Sequence, residues 1–176
     1  MIKIISGSLK GRKLKNINID ILRPTQAKVR KSIMDSIRNF ENKEVLDLFS
    51  GIGTLGIEAI SRGAKSVKFI DNNFKILSVL KENITSLGIE NQAIAIKSDV
   101  MNFLKKENNK YDLIFADPPY RVYKIDDFLP FLKLLLKKNG IFCYESYKEK
   151  IKIENRKCIK IKSFGSTQVV FLENNI

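Results

Sequence analysis

Apolar and polar positions alternate along this chain in two rhythms. Five short apolar runs, Glu44 to Phe49, Ser66 to Asp71, Ala93 to Lys97, Tyr111 to Ala116 and Ile141 to Glu145, have the length and composition of buried strands. Between them the apolar positions recur every three or four residues. Val29, Ile33, Met34 and Ile37 mark a helix over 26–40, which Arg23-Pro24-Thr25 opens with Thr25 as its N-cap. A second helix runs through Ile57, Ala59 and Ile60 to Arg62 and is stopped by Gly63. Phe74, Leu77, Leu80 and Ile84 mark a third, ending near Gly88, and Met101 to Lys106 a short fourth. Phe128, Phe131, Leu132, Leu135 and Leu136 mark a fifth over 126–138, closed by Asn139-Gly140. Both ends of the chain read as paired strands: residues 2–19 around a glycine-punctuated loop at 6–13, and 158–162 with 168–172 around 163–167. Strands that alternate with helices predict an α/β fold: a mostly parallel sheet with helices on both faces. A C-terminal antiparallel hairpin closes it, and a small N-terminal β-hairpin and helix precede it.

Charge changes this reading at one end. The chain has 32 Lys and Arg against 19 Asp and Glu, a net of +13. Residues 1–43 hold eleven of the basic and three of the acidic groups, a net of +8, whereas the other 133 residues net only +5. A basic end of this kind is the footprint of a polyanionic partner. We read residues 1–43 as a basic extension on a main domain of residues 44–176. Lys10, Arg12 and Lys13 in the hairpin loop, with Arg23, Arg30 and Lys31 at the first helix, are candidate phosphate contacts.

Composition excludes several chemistries. With 0 histidines, Ser-His-Asp and Cys-His catalysis and His-based metal sites are unavailable. The two cysteines, Cys143 and Cys158, lack metal-ligand spacing, so no metal is expected, and Cys143 reads as a small core residue. No stretch has the apolar length of a membrane span, and the first residues lack a signal-peptide core. A cytoplasmic monomer is expected.

Asp117-Pro118-Pro119-Tyr120 stands at the carboxyl end of the Tyr111–Ala116 run, where open α/β sheets bind ligands. The chemistry that fits is methyl transfer to a planar exocyclic amine, a poor nucleophile because its lone pair is delocalised into the base. Two acceptors, the Asp117 carboxylate and a carbonyl of the Pro118-Pro119 turn, can bind its two hydrogens and favour a nucleophilic geometry. The fixed φ of proline holds that carbonyl without further anchoring. Tyr120 can stack on the base, worth about 1–3 kcal/mol. A Pro-rich turn with a capping Asp is the structural reading of the same residues.

A second motif follows the first strand run: Ser50-Gly51-Ile52-Gly53-Thr54-Leu55-Gly56 joins strand to helix. Glycines there let a ligand approach the backbone and let amides face it at a helix start. Asp71 lies twenty residues after Gly51, a spacing that also fits a dinucleotide fingerprint. Asp47 and the Phe49-Ser50 lead-in favour S-adenosylmethionine, whose ammonium suits an acid near the loop. Asp71, followed by Asn72, is positioned to accept two ribose hydroxyls. Asp99, followed by Val100, either reads an adenine amino group or caps the next helix.

Together these residues resemble the RsmD family of bacterial ribosomal RNA methyltransferases. The resemblance is carried by the Ser6-to-Leu14 loop, Arg23-Pro24-Thr25 with Val29-Arg30, Leu46 through Ala59, Ser61-Arg62-Gly63-Ala64 and Asp117-Pro118-Pro119-Tyr120. It implies a class I methyltransferase fold with a seven-stranded sheet whose last strand is antiparallel. It also implies S-adenosylmethionine as methyl donor and the exocyclic amine of a guanine in small-subunit (16S) ribosomal RNA as acceptor. By motif, Gly51 and Gly53 line the methionine end with Asp47 beneath it, Asp71 binds ribose, Asp99 lies at the adenine end, and Asp117, Pro118 and Tyr120 hold the base. Ser50 stands where many relatives have Ala. An adenine-amino DNA methyltransferase and a catalytically silent RNA-binding relative are the alternatives. A nicotinamide dehydrogenase would leave Asp117 to Tyr120 and the basic N-terminus without a role.

Overall fold

A computed structural model describes residues 2–17, 27–149 and 157–174. The chain opens with an antiparallel pair, β1 (Ile2–Lys3) and β2 (Lys13–Leu14), followed by α1 (Ala27–Ser36). The Arg23-Pro24-Thr25 helix start lies outside the described residues. The alternation then runs β3 (Glu44–Leu48), α2 (Thr54–Ser61), β4 (Ser66–Asp71), α3 (Phe74–Leu87), β5 (Ala93–Lys97), α4 (Val100–Leu104) and β6 (Tyr111–Ala116). It ends with α5 (Leu129–Leu135), β7 (Leu136–Tyr147), β8 (Lys157–Phe164) and β9 (Thr167–Glu173). Seven strands lie in the order β5-β4-β3-β6-β7-β9-β8. From β5 to β7 neighbours are parallel, and β9 is antiparallel to both β7 and β8. This is the class I methyltransferase sheet, with its last strand antiparallel.

Strand residues point alternately to the two faces, which divides the core in two. Val45, Leu113, Phe115 and Phe171 pack with Val29, Ile33, Leu55 and Leu80 from α1, α2 and α3. Cys143 is buried in the same cluster, as its strand context predicts. Leu46, Ile114, Phe142 and Val170 face the other way, against Val100, Leu104, Leu132 and Leu135 from α4 and α5. The predicted helices thus cover both faces.

The basic N-terminal segment is fastened to the sheet domain. Ile4, Leu14, Val29 and Met34 belong to the first cluster. The Ile5 and Ser6 amides donate to the buried Glu58 carboxylate at 2.8 and 3.0 Å, and the Leu9 amide donates to Ser61 Oγ at 3.0 Å. The Lys15 amide donates to Asn83 Oδ1 at 2.7 Å. Gly7, at φ +84°, passes so near α2 that a Cβ would lie 1.7 Å from the Ser61 carbonyl oxygen. No other residue fits there.

Some boundaries depart from the apolar pattern: the first helix, expected over 26–40, ends at Ser36, and the strand expected over Ile141–Glu145 runs from Leu136 to Tyr147. The fifth helix was expected over 126–138, but α5 ends at Leu135 and Leu136 already belongs to β7. Asn174 accounts for the change: its Nδ2 donates to the Leu136 and Lys137 carbonyls at 3.0 and 3.3 Å, and its carbonyl accepts the Asn139 amide at 2.8 Å. Asn174, just after β9, therefore ties the Leu136 and Lys137 carbonyls to the end of the C-terminal strand, and Asn139 turns at φ +59°. Among the described residues no helix is long and apolar enough to cross a membrane.

Candidate active site

Strand order reverses at β3, whose neighbours β4 and β6 lead to opposite edges of the sheet. Ligands of open α/β sheets bind in the crevice beyond the carboxyl ends of the strands at such a point. A cavity of about 550 Å³ opens there. Its wall takes Phe49 to Ile52 after β3, Asp71 to Asn73 after β4, Asp99 and Val100 after β5, and Asp117 to Tyr120 after β6. Glu145 of β7 and Thr167 of β9 also line it. Four carboxylates, Asp71, Asp99, Asp117 and Glu145, thus line one cavity in a chain of net charge +13. Such a lining favours a ligand that carries positive charge.

The glycine loop is held from below. Phe49 takes φ +56°, costly for an aromatic residue, and its ring packs against Tyr123 at 5.0 Å and Phe128 at 6.2 Å. The Gly51 amide donates to Asp71 Oδ2 and the Asn73 amide to Asp71 Oδ1, both at 2.9 Å. A carboxylate has about four acceptor sites, so each oxygen keeps one for a ligand hydroxyl. Asp99 caps α4 through the Asn102 amide at 2.9 Å, and it also lines the cavity. Both sequence readings of that residue are therefore compatible.

Two residues expected at the ligand are not in the cavity wall. Asp47 is buried beneath α2, where its Oδ2 accepts the Gly56 amide at 2.9 Å. Burial pushes its carboxyl well above the usual range, opposed by the Gly56 amide. Gly53, at φ +88°, begins α2 and faces the core: a Cβ there would lie 2.4 Å from Leu80 Cδ1. The expected row of ligand-facing amides is also absent at three positions. The amides of Ser50, Gly51 and Gly53 donate to Ile70, Asp71 and Ser50 respectively. By contrast Ser50 Oγ is buried, belongs to a lining residue, and has no hydrogen-bond partner among the described residues. The acidic lining suits the sulfonium and ammonium of S-adenosylmethionine.

At the other end of the cavity Tyr120 is tied to the sheet. Its hydroxyl lies 2.7 Å from Thr167 Oγ1 and donates to Glu145 Oε1 at 3.5 Å. Glu145 was legible by the rule that selects Asp71 and Asp117, since each is an acid at the end of a predicted strand. Thr167 carried no such signal, because it reaches the site on the returning antiparallel strand.

The basic residues divide. Lys10, Arg12, Lys13 and Lys31 are exposed; Arg12 Nη2 also donates to the Ser86 carbonyl at 2.7 Å, and Lys31 pairs with Asp35 one helical turn on. Arg30 corrects the sequence expectation. It is only 4% exposed and its Nη2 donates to the Lys3 carbonyl at 2.7 Å, so it joins α1 to β1 instead of facing a phosphate. Arg23 lies outside the described residues.

Comparison with known proteins agrees with this architecture. Residues 2–173 match the family described as conserved hypothetical protein 95. The chain is 41% identical over 152 residues to the ribosomal RNA small subunit methyltransferase D of Buchnera aphidicola (subsp. Acyrthosiphon pisum), covering 84% of this chain and 79% of that one. The protein of the same name from Haemophilus influenzae is 33% identical over 181 residues, covering 98% and 94%. A solved structure of a putative methyltransferase from Escherichia coli superimposes with a TM-score of 0.87 over 98% of this chain and 97% of that one, at 27% identity. The chain belongs to the conserved hypothetical protein 95 family, the RsmD family that its motifs resemble.

Proposed function

We propose that this protein methylates the exocyclic amino group of a guanine in small-subunit ribosomal RNA, with S-adenosylmethionine as donor. The observation that carries the reading is one cavity that joins the acid-and-glycine wall of β3 and β4 to Asp117-Pro118-Pro119-Tyr120 of β6. The names of the relatives supply the substrate class. Asp71 would receive the ribose hydroxyls on its two remaining acceptor sites, and Asp99 and Val100 would flank the adenine. When bound, the donor supplies an electrophilic methyl group and a neutral thioether leaving group.

The target base enters beside Tyr120, whose ring is held by the Thr167 hydroxyl. Turning it out of its stack costs a few kcal/mol, least where it is already unpaired. The Pro119 carbonyl accepts the Val122 amide at 3.2 Å; the Pro118 carbonyl and the Asp117 carboxylate would receive the two amine hydrogens. The nitrogen lone pair then points at the methyl carbon. After transfer, the nitrogen carries an extra proton and Asp117 accepts it. Alignment is the main contribution, for which about 7–11 kcal/mol is attainable. Lys10, Arg12, Lys13 and Lys31 would bind the RNA backbone in the cytoplasm, where the subunit is assembled, with the protein acting as a monomer.

The test is transfer of labelled methyl from S-adenosylmethionine to small ribosomal subunits from a host lacking the enzyme, to total RNA and to duplex DNA. Label in the ribosomal material alone is the expected result. Label in DNA would move the protein to the adenine-amino class.

A further inference from the structure

Next to the lining residues Tyr120 and Val122 stands a pair of side chains, Arg121 and Tyr147, that neither the fold nor methyl transfer requires. Pro119, Tyr120, Arg121 and Val122 form a turn closed by the Val122 amide on the Pro119 carbonyl at 3.2 Å. Its third residue, Arg121, takes φ +66°. That position of a turn favours Gly or Asn, and an arginine there is strained. The exposed Arg121 guanidinium lies over the ring of Tyr147, 5.0 Å from its centroid. Tyr147 is 41% exposed at the end of β7, and its ring meets Tyr120 edge-on, with centroids 6.3 Å apart and planes at 69°. Beside them Val122 is 64% exposed and lines the cavity mouth. An aromatic ring, a planar cation and an apolar side chain therefore surround the ring assigned to the target base.

We propose that the Arg121–Tyr147 pair is the binding platform for the unpaired nucleotide next to the target guanine. A base turned out of its stack leaves its neighbour with one face uncovered. Bases of single-stranded RNA stack on aromatic rings and on arginine guanidinium planes, and this pair offers both, with a positive charge for the adjoining phosphate. Charge complementarity favours the same occupant, since Arg121 is an exposed cation between Tyr120 and Val122, two residues that line the cavity. The strained φ follows from the role: glycine would relax the turn but supply no planar cation. The proposal rests on the RNA reading above.

The test separates the two. Methyl transfer to small ribosomal subunits is measured for the wild type, Arg121→Gly, Tyr147→Ala and Tyr147→Phe, with thermal midpoint and S-adenosylmethionine affinity measured on each. Arg121→Gly suits the φ of the turn, so its fold and cofactor affinity stay intact. Arg121→Gly and Tyr147→Ala are expected to raise KM for the subunit about tenfold or more, the scale of one lost base–aromatic stack, with the loss on KM and not on kcat. Tyr147→Phe restores the KM that Tyr147→Ala loses. An unchanged KM in Arg121→Gly and Tyr147→Ala, with an active wild type, overturns the platform and leaves the methyltransferase reading standing. A wild type that methylates no RNA overturns both.

Discussion

The two ends of the cavity are held by different means. At the end walled by β3, β4 and β5, main chain and side chain are interlocked. Asp71 takes the Gly51 and Asn73 amides, Asp99 takes the Asn102 amide, and Asp47 takes the Gly56 amide from below. At the end made by β6, β7 and β9, side chains position one another through the Tyr120–Thr167 contact, the longer bond from Tyr120 to Glu145 and the edge-on Tyr147 ring. A wall anchored on the backbone keeps its shape when a ligand is absent, which suits a cofactor shared by many enzymes. A wall of adjustable side chains suits the part of the substrate that distinguishes one methyltransferase from another.

That contrast breaks most sharply at Asp117. Asp117→Ala should lower kcat by about 10²–10⁴-fold, the range for a positioned proton acceptor, while calorimetry finds S-adenosylmethionine binding preserved. Turnover that survives this change removes Asp117 from the chemistry. A smaller loss, in stability, is expected of Gly53→Ala. Its φ of +88° and the 2.4 Å approach of a Cβ to Leu80 Cδ1 predict a destabilisation of about 1–3 kcal/mol, as for an overpacked core, together with weaker cofactor binding. A denaturation midpoint equal to the wild type would mean that the loop yields without resistance.

Tyr120→Phe keeps the ring and deletes its hydroxyl bonds. A neutral hydrogen bond contributes about 0.5–1.5 kcal/mol, so kcat should fall by about tenfold at most, with cofactor affinity unchanged. A loss as large as that of Asp117→Ala would make the hydroxyl itself part of the reaction.

The smallest effect is expected at Asp47. Burial raises its carboxyl above the unfolded value, so the folded chain holds the proton more tightly and stability declines as pH rises through the interval between the two. Asp47→Asn keeps an acceptor for the Gly56 amide and cannot ionise. Thermal unfolding from mildly acidic to mildly alkaline buffer should give a flatter slope for the variant. An identical slope would mean that Asp47 does not titrate with folding.

What the sequence made legible follows the same division. Strands Ser66–Asp71, Ala93–Lys97 and Tyr111–Ala116 are read without error, because a buried parallel strand is written as a local apolar run. The acids at their ends, Asp71, Asp99 and Asp117, reach the cavity for the same reason. Contacts made at long range were not legible. Arg30 looked like a surface cation until the Lys3 carbonyl met it, and Leu136 looked helical until Asn174 drew its carbonyl into the sheet. Asp47 was read as a ligand contact because its distance from the loop along the chain is short. The pleat of β3 turns it away, toward α2.

The most direct measurement is the identity of the methylated atom. Small-subunit ribosomal RNA from a host lacking the enzyme is treated with the protein and S-adenosylmethionine, digested to nucleosides and analysed by mass spectrometry against standards. N2-methylguanosine as the single new nucleoside is the predicted result. N6-methyladenosine, or guanosine methylated on a ring nitrogen, would contradict the assignment of Asp117 and Pro118 to an exocyclic guanine amine.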